Sequence, residues 1–293
     1  MSTNSNSNKY LGVGKRFIIP GVPHVPVTCS FTNVQAQAYW NALTAANGGI
    51  EVDGTLYGIS TCQLKQAIDT WFIDITIAGG TFVAVYPYIG ATAATHAINA
   101  VNPGTHNLLF TGGTHTAQGT NFNGTSNFAD TQYLASGLLP GNMHISARYT
   151  RFAGTGSPGT IIGSSNGIGP GSDECYIDFI PSTTSLSSAL YTNGSLTSEI
   201  SYSPASNTAF TIAARPSSSS MILTQNSVIV NSASGLYAGT PPAYNIYISA
   251  KNQGILGAQR FVKTRMSFNS IGKYMNEASL TTITNTLNTT LGR

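Results

Sequence analysis

Charged side chains are scarce in this sequence. Asp, Glu, Lys and Arg together make up 8% of its 293 residues, whereas an ordinary soluble domain has about 25%. Hydroxyl and amide side chains must therefore carry most of the contact with solvent. Such a composition favours sheets and turns, because Thr and aromatic residues suit a pleated surface while Gly and Asn adopt the positive φ angles of turns. It also favours a surface that packs on neighbours or contacts sugars, since little charge has to be desolvated.

Long apolar runs and dense basic tracts are missing as well. No stretch of about 18 apolar residues, the length that spans a bilayer, occurs, and residues 1–8 lack the apolar core of a signal peptide. The net charge is +3, and the cluster Arg260, Lys263 and Arg265 alternates with apolar residues as the solvent face of a strand would. We therefore expect no nucleic-acid partner, no membrane and no conventional secretion.

Cysteine is rare and irregularly placed. Cys29, Cys62 and Cys175 are odd in number and show no C-x-x-C spacing, so the sequence indicates neither a disulfide framework nor a zinc site. The cysteines are expected to be free thiols, and a single disulfide is the alternative.

The first 30 residues show no helical period. A cluster of prolines and glycines at 20–26 favours an extended arm, and the apolar run Phe17, Ile18 and Ile19 is costly to leave in water. We expect this arm to be an attachment element that docks on a neighbouring subunit or on its own domain. Residues 31–80 are then predicted to be a helical segment packed on a sandwich of residues 81–293.

Two capping-box patterns, Thr32-x-x-Gln35 and Ser60-x-x-Gln63, predict the starts of two helices. The helices are expected to end near Asn47 and Gly79. Their core-facing residues are predicted from helical spacing to be Ala36, Tyr39, Trp40 and Leu43 in the first helix and Leu64, Ile68, Trp71, Phe72 and Ile75 in the second.

From residue 81 the apolar period changes to two, which is typical of strands. The predicted strands are 83–89, 143–149, 174–180, 208–215, 221–230 with a tight turn at 225–226, and 244–250. A closing strand is predicted to place Val262, Met266 and Phe268 on one face and Lys263, Arg265, Ser267 and Asn269 on the other. A last helix follows, with the apolar stripe Leu280, Ile283, Leu287 and Leu291. Many short strands with Gly, Pro and Ser connections indicate an antiparallel β-sandwich.

The order of several fragments resembles a known family. These fragments are 83–90, 95–96, 109–115, 123–131, 268–272 and the terminal Leu291-Gly292-Arg293. Together they resemble the concanavalin A-like (laminin G-like, jelly-roll) domains of structural proteins of tailed phages and environmental viruses, over residues 60–293. The resemblance implies a mainly β, antiparallel jelly-roll sandwich with two N-terminal helices and one C-terminal helix. It also implies a component at the surface of a viral particle, with other virion proteins and copies of itself as partners.

Catalytic motifs are weak in this sequence. Residues 163–167 match the G-x-S-x-G string but lack the strand before and the helix after that the motif needs. Residues 154–159 match G-x-G-x-x-G, but Pro158 and the missing βαβ unit argue against a dinucleotide site. Jelly-roll glucanases carry E-x-D-x-E on one strand face, and here Asp173, Glu174 and Asp178 are the nearest approach. We therefore predict no catalytic residues, no cofactor and no enzymatic activity.

Metal sites are supported only thinly. Asp130 beside residues 123–127, or the trio Asp173, Glu174 and Asp178, could offer oxygen ligands to Ca²⁺, although an ordinary Asx-turn at Asp130 is the simpler interpretation. The five histidines show no ligand spacing. His96, His106 and His115 fall in one segment, where hydrogen bonding in turns or in the core is expected.

The main hypothesis is a non-enzymatic structural or surface component of a viral particle, with a phage favoured, attached through residues 8–30 and associating as a homo-oligomer. The alternative is a carbohydrate-binding adhesin that recognises a host glycan. In the alternative, loop tyrosines such as Tyr191, Tyr202 and Tyr237 would contact sugars or form interfaces. A polysaccharide-degrading enzyme that depends on Glu174 is the third, least favoured hypothesis.

Overall fold

The computed structural model describes residues 29–152, 158–167, 173–180, 185–193, 199–203, 206–236 and 239–293, the side chains of 191–193 excepted. The predicted arm with Phe17, Ile18 and Ile19 lies outside these residues, as does Tyr237. Within the described ranges, none of the helices has the length and apolar character needed to cross a membrane.

The described residues form two sheets and several helices. The strands of the first sheet are β1 (Phe82–Tyr86), β3 (Thr114–Thr116), β4 (Gly119–Asn123), β6 (Met143–Arg151), β11 (Thr208–Ser217), β12 (Ser220–Gln225), β13 (Val228–Ser234) and β17 (Lys263–Gly272). The strands of the second sheet are β2 (Leu109–Thr111), β5 (Phe128–Leu134), β7 (Gly159–Ser165), β8 (Asp173–Ile180), β9 (Ser185–Asn193), β10 (Ile200–Tyr202), β14 (Asn245–Ile248), β15 (Lys251–Asn252) and β16 (Ala258–Gln259). The helices are α1 (Val34–Ala46), α2 (Thr61–Ile77), α3 (Ala93–His96) and α4 (Glu277–Thr290).

Both sheets are built from neighbouring antiparallel strands. The first runs in the order β13-β12-β11-β6-β17-β4-β3, with β1 also pairing with β17. The second runs β10-β9-β8-β7-β14-β5-β2, and β15 adds a short parallel pairing with β7. This architecture confirms the predicted mainly β sandwich with two N-terminal helices and one C-terminal helix.

The core between the sheets follows from the alternation within strands. Ile145 in β6, Ile162 in β7, Ile177 in β8 and Ile246 in β14 are all fully buried in one apolar cluster. Each such side chain contributes about 1.5–3 kcal/mol of transfer free energy on burial. These residues therefore fix the inward face of both sheets. In β7 a register shift before Ile162 also brings its neighbour Ile161 into the same cluster.

A second apolar layer covers the outer face of the first sheet. Phe210 and Phe268 project from β11 and β17 into the helices, where Trp71 of α2 meets Phe268 edge-on at 6.1 Å between ring centroids. The predicted stripes of α1, α2 and α4 all belong to this cluster. The helices thus form a third layer on one side of the sandwich.

The predicted helix caps are half right. The capping box of Ser60 and Gln63 is present at the start of α2. Helix α1 begins one residue later than its pattern predicts, because Asn33 is the N-cap and its side chain accepts from the backbone of Gln35 and Ala36. The hydroxyl of Thr32 donates instead to the carboxylate of Asp69 in α2, at 2.5 Å.

The two faces predicted for the closing strand are wrong beyond Met266. The register of β17 on β6 shifts between Met266 and Phe268, so the strand has a bulge. Because a bulge inserts one residue, it turns the following side chains to the other side. Met266 points into the sandwich and Phe268 into the helical layer, although both were predicted to share one face.

The expectation of three free thiols is also wrong, and the alternative of a single disulfide is correct. Cys29 and Cys62 form a disulfide with their Cα atoms 5.4 Å apart, and Cys175 is free and buried in β8. The bond ties the residues before α1 to the first turn of α2. Its partners are 33 residues apart in sequence, and only the packing of the two helices brings them together.

Candidate binding face on the second sheet

The outer face of the second sheet, here named the open face, differs from that of the first. The long helices pack on the first sheet, so outward residues of the second sheet lie outside both apolar clusters. In β8 the outward positions are Glu174, Tyr176 and Asp178, which alternate with core residues. In β14 they are Asn245 and Tyr247. The described part of the open face is therefore polar and aromatic.

One cross-strand row crosses the middle of the open face. Tyr176 pairs with Gly163, Gly163 with Tyr247, Tyr247 with Asp130, and Asp130 with Leu109. A Cβ atom at position 163 would lie 2.6 Å from Cβ of Tyr176. Glycine is therefore needed at 163 for the Tyr176 side chain to keep its place.

Four charged side chains surround Tyr176 and are here named the charged quartet: Glu174, Asp178, Lys251 and Arg260. The Lys251 ammonium is fully buried, 3.3 Å from Oε1 of Glu174 and 3.5 Å from Oδ2 of Asp178. It also lies 3.5 Å above the centroid of the Tyr176 ring. Nη1 of Arg260 is 2.9 Å from the same Asp178 oxygen.

The charges in the quartet compensate one another at the base of the open face. Oδ1 of Asp178 accepts a hydrogen bond from the Thr160 hydroxyl at 2.5 Å. Burial raises the pKa of Glu174, and Lys251 opposes that shift. Burial and the nearby Asp178 carboxylate raise the pKa of Tyr176, so its phenol is neutral at physiological pH. The quartet thereby anchors the segment 249–262 on the sheet.

This geometry bears on the carboxylates singled out from the sequence. Glu174 and Asp178 do share one face of β8, with Tyr176 between them. The Lys251 ammonium lies between their carboxylates, in the position that a bound cation or a substrate would need. Asp173 is separate from them and accepts from the Asn166 amide at 3.1 Å.

An aromatic strip lies beside the quartet and consists of Phe128, Tyr247 and Phe261. The rings of Phe128 and Tyr247 are stacked with centroids 4.7 Å apart and an interplanar angle of 26°, and Phe261 lies 6.3 Å from Phe128. All three side chains are only partly buried. Burial, and then the nearby Asp130 carboxylate, raises the pKa of Tyr247. The strip offers a neutral aromatic surface that is accessible to solvent.

Polar groups border the strip. Oδ2 of Asp130 accepts from the Asn245 side-chain amide at 3.1 Å, and Oδ1 accepts from the backbone of Gln132 at 2.7 Å. The second contact is the Asx-turn interpretation of Asp130. Nearby Asn123 directs its side-chain oxygen at the backbone N–H groups of residues 125–127. The side-chain oxygens of Asp130 and Asn123 thus accept hydrogen bonds from nearby groups of the chain, and they do not point at one common position where a Ca²⁺ ion could bind.

The tyrosines predicted from the sequence lie elsewhere or cannot be placed. Tyr202 is not a loop residue: it is in strand β10, partly buried against the sandwich core. Tyr191 is in β9, with its side chain outside the described residues. Tyr247, Phe128 and Lys251 were not identified as site residues, although the alternation of Tyr247 with Ile246 and Ile248 already indicated an outward ring.

Two of the three clustered histidines meet. Nδ1 of His96 lies 3.1 Å from Nδ1 of His115 and 2.9 Å from the Thr120 hydroxyl. Burial lowers the pKa of His96 to about 3 and also lowers that of His115. Among the described residues no group of three or more His, Cys, Asp or Glu side chains could hold a metal ion. The pair therefore forms a neutral hydrogen-bonded contact near the core.

Comparison with known proteins supports the fold. No family model matches the chain, and no curated protein matches it. A mutant Trypanosoma rangeli sialidase with trans-sialidase activity superposes with a TM-score of 0.52 at 11% identity, over 80% of this chain and 40% of its own. Trypanosoma rangeli sialidase in complex with sialic acid gives 0.50 at 11% identity, over 78% of this chain and 39% of its own. The chain thus spans about 40% of the length of these sialidases, and the likeness shows a shared β-sandwich fold.

Proposed function

We propose that this chain is a non-catalytic β-sandwich that binds a glycan on the open face. The observation that carries the proposal is the stacked, partly exposed pair Phe128 and Tyr247 beside the hydrogen-bonded pair Asp130 and Asn245. A sugar ring has C–H groups on its flat faces and hydroxyls at its rim. An aromatic strip with amide and carboxylate groups at its border suits both.

The sialidase likeness supports the same class of ligand. One of the similar sialidases was solved in complex with sialic acid, so a chain of this architecture forms part of a protein that handles a glycan. The catalytic activity of the whole sialidase is not proposed for this chain, because the chain spans only about 40% of the sialidase's length.

A degrading activity is not part of the proposal. Most glycosidases need two carboxylates that flank the scissile bond, whereas sialidases use a tyrosine nucleophile. Here Lys251 lies between Glu174 and Asp178 and over the ring of Tyr176, the tyrosine between them. We expect the chain to release no sugar from any polysaccharide or sialoside it binds. Turnover that disappears in Glu174→Gln would contradict this part of the proposal.

The test is a glycan array that includes sialylated and neutral glycans, followed by calorimetric titration of the best ligand. Tyr247→Ala should weaken binding about tenfold, since an aromatic contact is worth roughly 0.5–1.5 kcal/mol beyond its buried area. Tyr247→Phe should bind nearly as well as the parent. Tyr274→Ala is the matched control, because Tyr274 is also partly buried but packs against the helical layer.

Two outcomes would refute the glycan proposal. One is the absence of any array signal for the parent chain. The other is unchanged affinity in Tyr247→Ala when the fold, checked by circular dichroism, is intact.

Assembly into a viral particle remains a prediction from the sequence resemblance, and one observation favours self-association. Strand β13 is the edge of the first sheet, and its Val228 and Ile229 are about 60% exposed (61% and 58%). Exposed apolar edge strands tend to pair with another chain. Val228→Lys with Ile229→Lys should abolish oligomers in light scattering. Mass spectrometry of purified particles would test the virion location. Deletion of residues 8–28, which keeps Cys29 and its disulfide, should prevent incorporation.

A further inference from the structure

A long groove runs between helices α2 and α4, on the side of the molecule opposite the open face. One part, of about 280 Å³, is lined by Ile59, Ala67 and Thr70 on the α2 side and by Ile283 and Leu287 of α4. A second part, of about 550 Å³, continues past Ile77 to Ala278. The two parts share Asp74, Ile283 and Thr286, so they form one continuous groove.

The groove combines exposed apolar surface with polar side chains such as Gln63, Gln66 and Ser279. Ile77, at its far end, is 79% exposed, and Ile59, Ala67 and Ala78 add further partly exposed apolar surface. Exposed Thr70 and Thr286 face each other across it and can hydrogen-bond to a backbone laid between the helices. An extended apolar segment is the kind of occupant that such a lining accepts.

The disulfide brings the N-terminal arm to the mouth of this groove. Cys62 is the second residue of α2, and its bond to Cys29 holds the point where residue 28 joins the described chain beside the start of that helix. Ile59 and Gln63, which line the near end of the groove, flank Cys62 in sequence. The chain before Cys29 therefore starts within a few residues of the groove.

Length and charge also fit the arm. Ile19 is ten residues from Cys29 in the sequence, which allows a reach of about 33 Å. From Cys62 to Asp74 helix α2 rises about 18 Å at 1.5 Å per residue, so the middle of the groove is within reach of an arm that also makes a turn. The basic residues Lys15 and Arg16 directly precede the apolar run, and among the described residues no ion pair involves Asp74 in the middle of the groove.

We propose that Phe17, Ile18 and Ile19 of the arm dock into the α2–α4 groove of their own chain, with Lys15 or Arg16 beside Asp74. The Pro- and Gly-containing stretch 20–26 provides the turn that leads the arm back along α2. Docking covers the exposed apolar lining and adds a strap across the helical layer.

Site-specific photo-cross-linking tests the proposal on the full chain. Thr70→Cys, labelled without reductant with a benzophenone maleimide, places the probe in the groove, while Cys175 stays unlabelled because it is buried. The matched control is Thr289→Cys, also exposed and on α4 but outside the groove lining. We expect intrachain cross-links from position 70 to residues 14–20, with at least fivefold the yield seen from position 289.

Arm and groove variants provide the second readout. Phe17→Ser, Ile18→Ser and Ile19→Ser together should reduce the cross-link from Thr70→Cys at least fivefold. Asp74→Lys should also reduce it, and Asp74→Asn should have a smaller effect. Equal yields from positions 70 and 289 would overturn the proposal. So would cross-linked dimers in place of intrachain products, since these would assign the groove to the arm of another copy.

Discussion

Lys251 is the residue on which the open face depends most. Its ammonium is fully buried and shared between Glu174 and Asp178, above the ring of Tyr176. A lysine is seldom buried so completely without carboxylate partners, and here the partners come from β8, which is separated from the strand of Lys251 by β7. The same arrangement fixes the start of the segment that carries Arg260 and Phe261. The aromatic strip and the quartet are thus positioned together.

Replacing Lys251 should therefore cost much stability. Lys251→Met leaves two carboxylates without their shared cation, and we expect the free energy of unfolding to fall by about 3 kcal/mol in urea titrations. Lys263→Met, at an exposed position, should change it by less than about 0.5 kcal/mol. Adding Glu174→Gln to Lys251→Met should recover part of the loss. Strictly additive losses would show that Lys251 and Glu174 do not interact.

His144 makes stability depend on pH. Burial lowers its pKa from the ordinary 6.5 to about 4, while its ring donates to the Lys273 carbonyl and accepts from Ser270. Between pH 6.5 and 4 the unfolded chain binds a proton that the folded chain does not, so stability falls as the pH drops through this window. The expected loss is about 3 kcal/mol. His144→Gln should lose correspondingly less in urea titrations at pH 7 and 4, and an identical loss would contradict this assignment.

At the scale of elements, a small number of contacts hold the N-terminal end of helix α1. Asn33 caps it, Thr32 and Asn33 bond to Asp69 of α2, and Trp40 packs on Phe31 with ring centroids 6.0 Å apart. The disulfide adds a covalent tie at the same end. Because the apolar stripe of α1 belongs to the cluster of the helical layer, loosening this end would expose apolar residues of that layer.

The disulfide should accordingly contribute strongly to stability. Closing a loop of this length removes unfolded-state entropy worth roughly 3–4 kcal/mol. Reductant should lower the melting temperature of the parent chain, and Cys29→Ala with Cys62→Ala should melt at the reduced temperature. The double variant should not respond to reductant, since its remaining cysteine is unpaired. A response in that variant would place the effect elsewhere.

Among elements, α2 and the strands with clear alternation were predictable. Ser60 and Gln63 form a capping box whose two residues are only three positions apart, so the sequence alone is enough to predict it. The strands β7 and β9 were not predicted, because glycine and serine dilute their apolar pattern. The turn after β12 falls at Asn226 and Ser227, both with positive φ, one residue beyond the prediction.

At the scale of the molecule, the outer faces of the two sheets are covered differently. The first carries the helical layer on its outer face, and the second leaves its outer face to the aromatic strip and the charged quartet. Arg293 joins the layers, since its guanidinium donates to the carbonyls of Pro87, Tyr88 and Ala117 at 2.7–2.9 Å. Helix α4 is thereby fastened to the loops that follow β1 and β3.

Removing the Arg293 guanidinium should loosen the contact between helix α4 and the loops after β1 and β3. Arg293→Ala leaves several buried carbonyls unpaired and should lower the free energy of unfolding by about 3 kcal/mol. Arg293→Lys should restore only a minor part, because an ammonium cannot reproduce the planar fork of donors. Urea titration of both variants measures this, and an alanine variant within about 0.5 kcal/mol of the parent would contradict the role.

The sequence by itself determined the class of fold, because strand alternation, capping boxes and helical stripes are local patterns of core-facing residues. It also singled out Glu174 and Asp178 as neighbouring carboxylates of one predicted strand. Tertiary structure alone decided the Cys29–Cys62 bond, the bulge after Met266 and the meeting of Lys251 with its carboxylates. These contacts join residues that are distant in the chain, and their geometry depends on how sheets and helices pack, which no local pattern encodes.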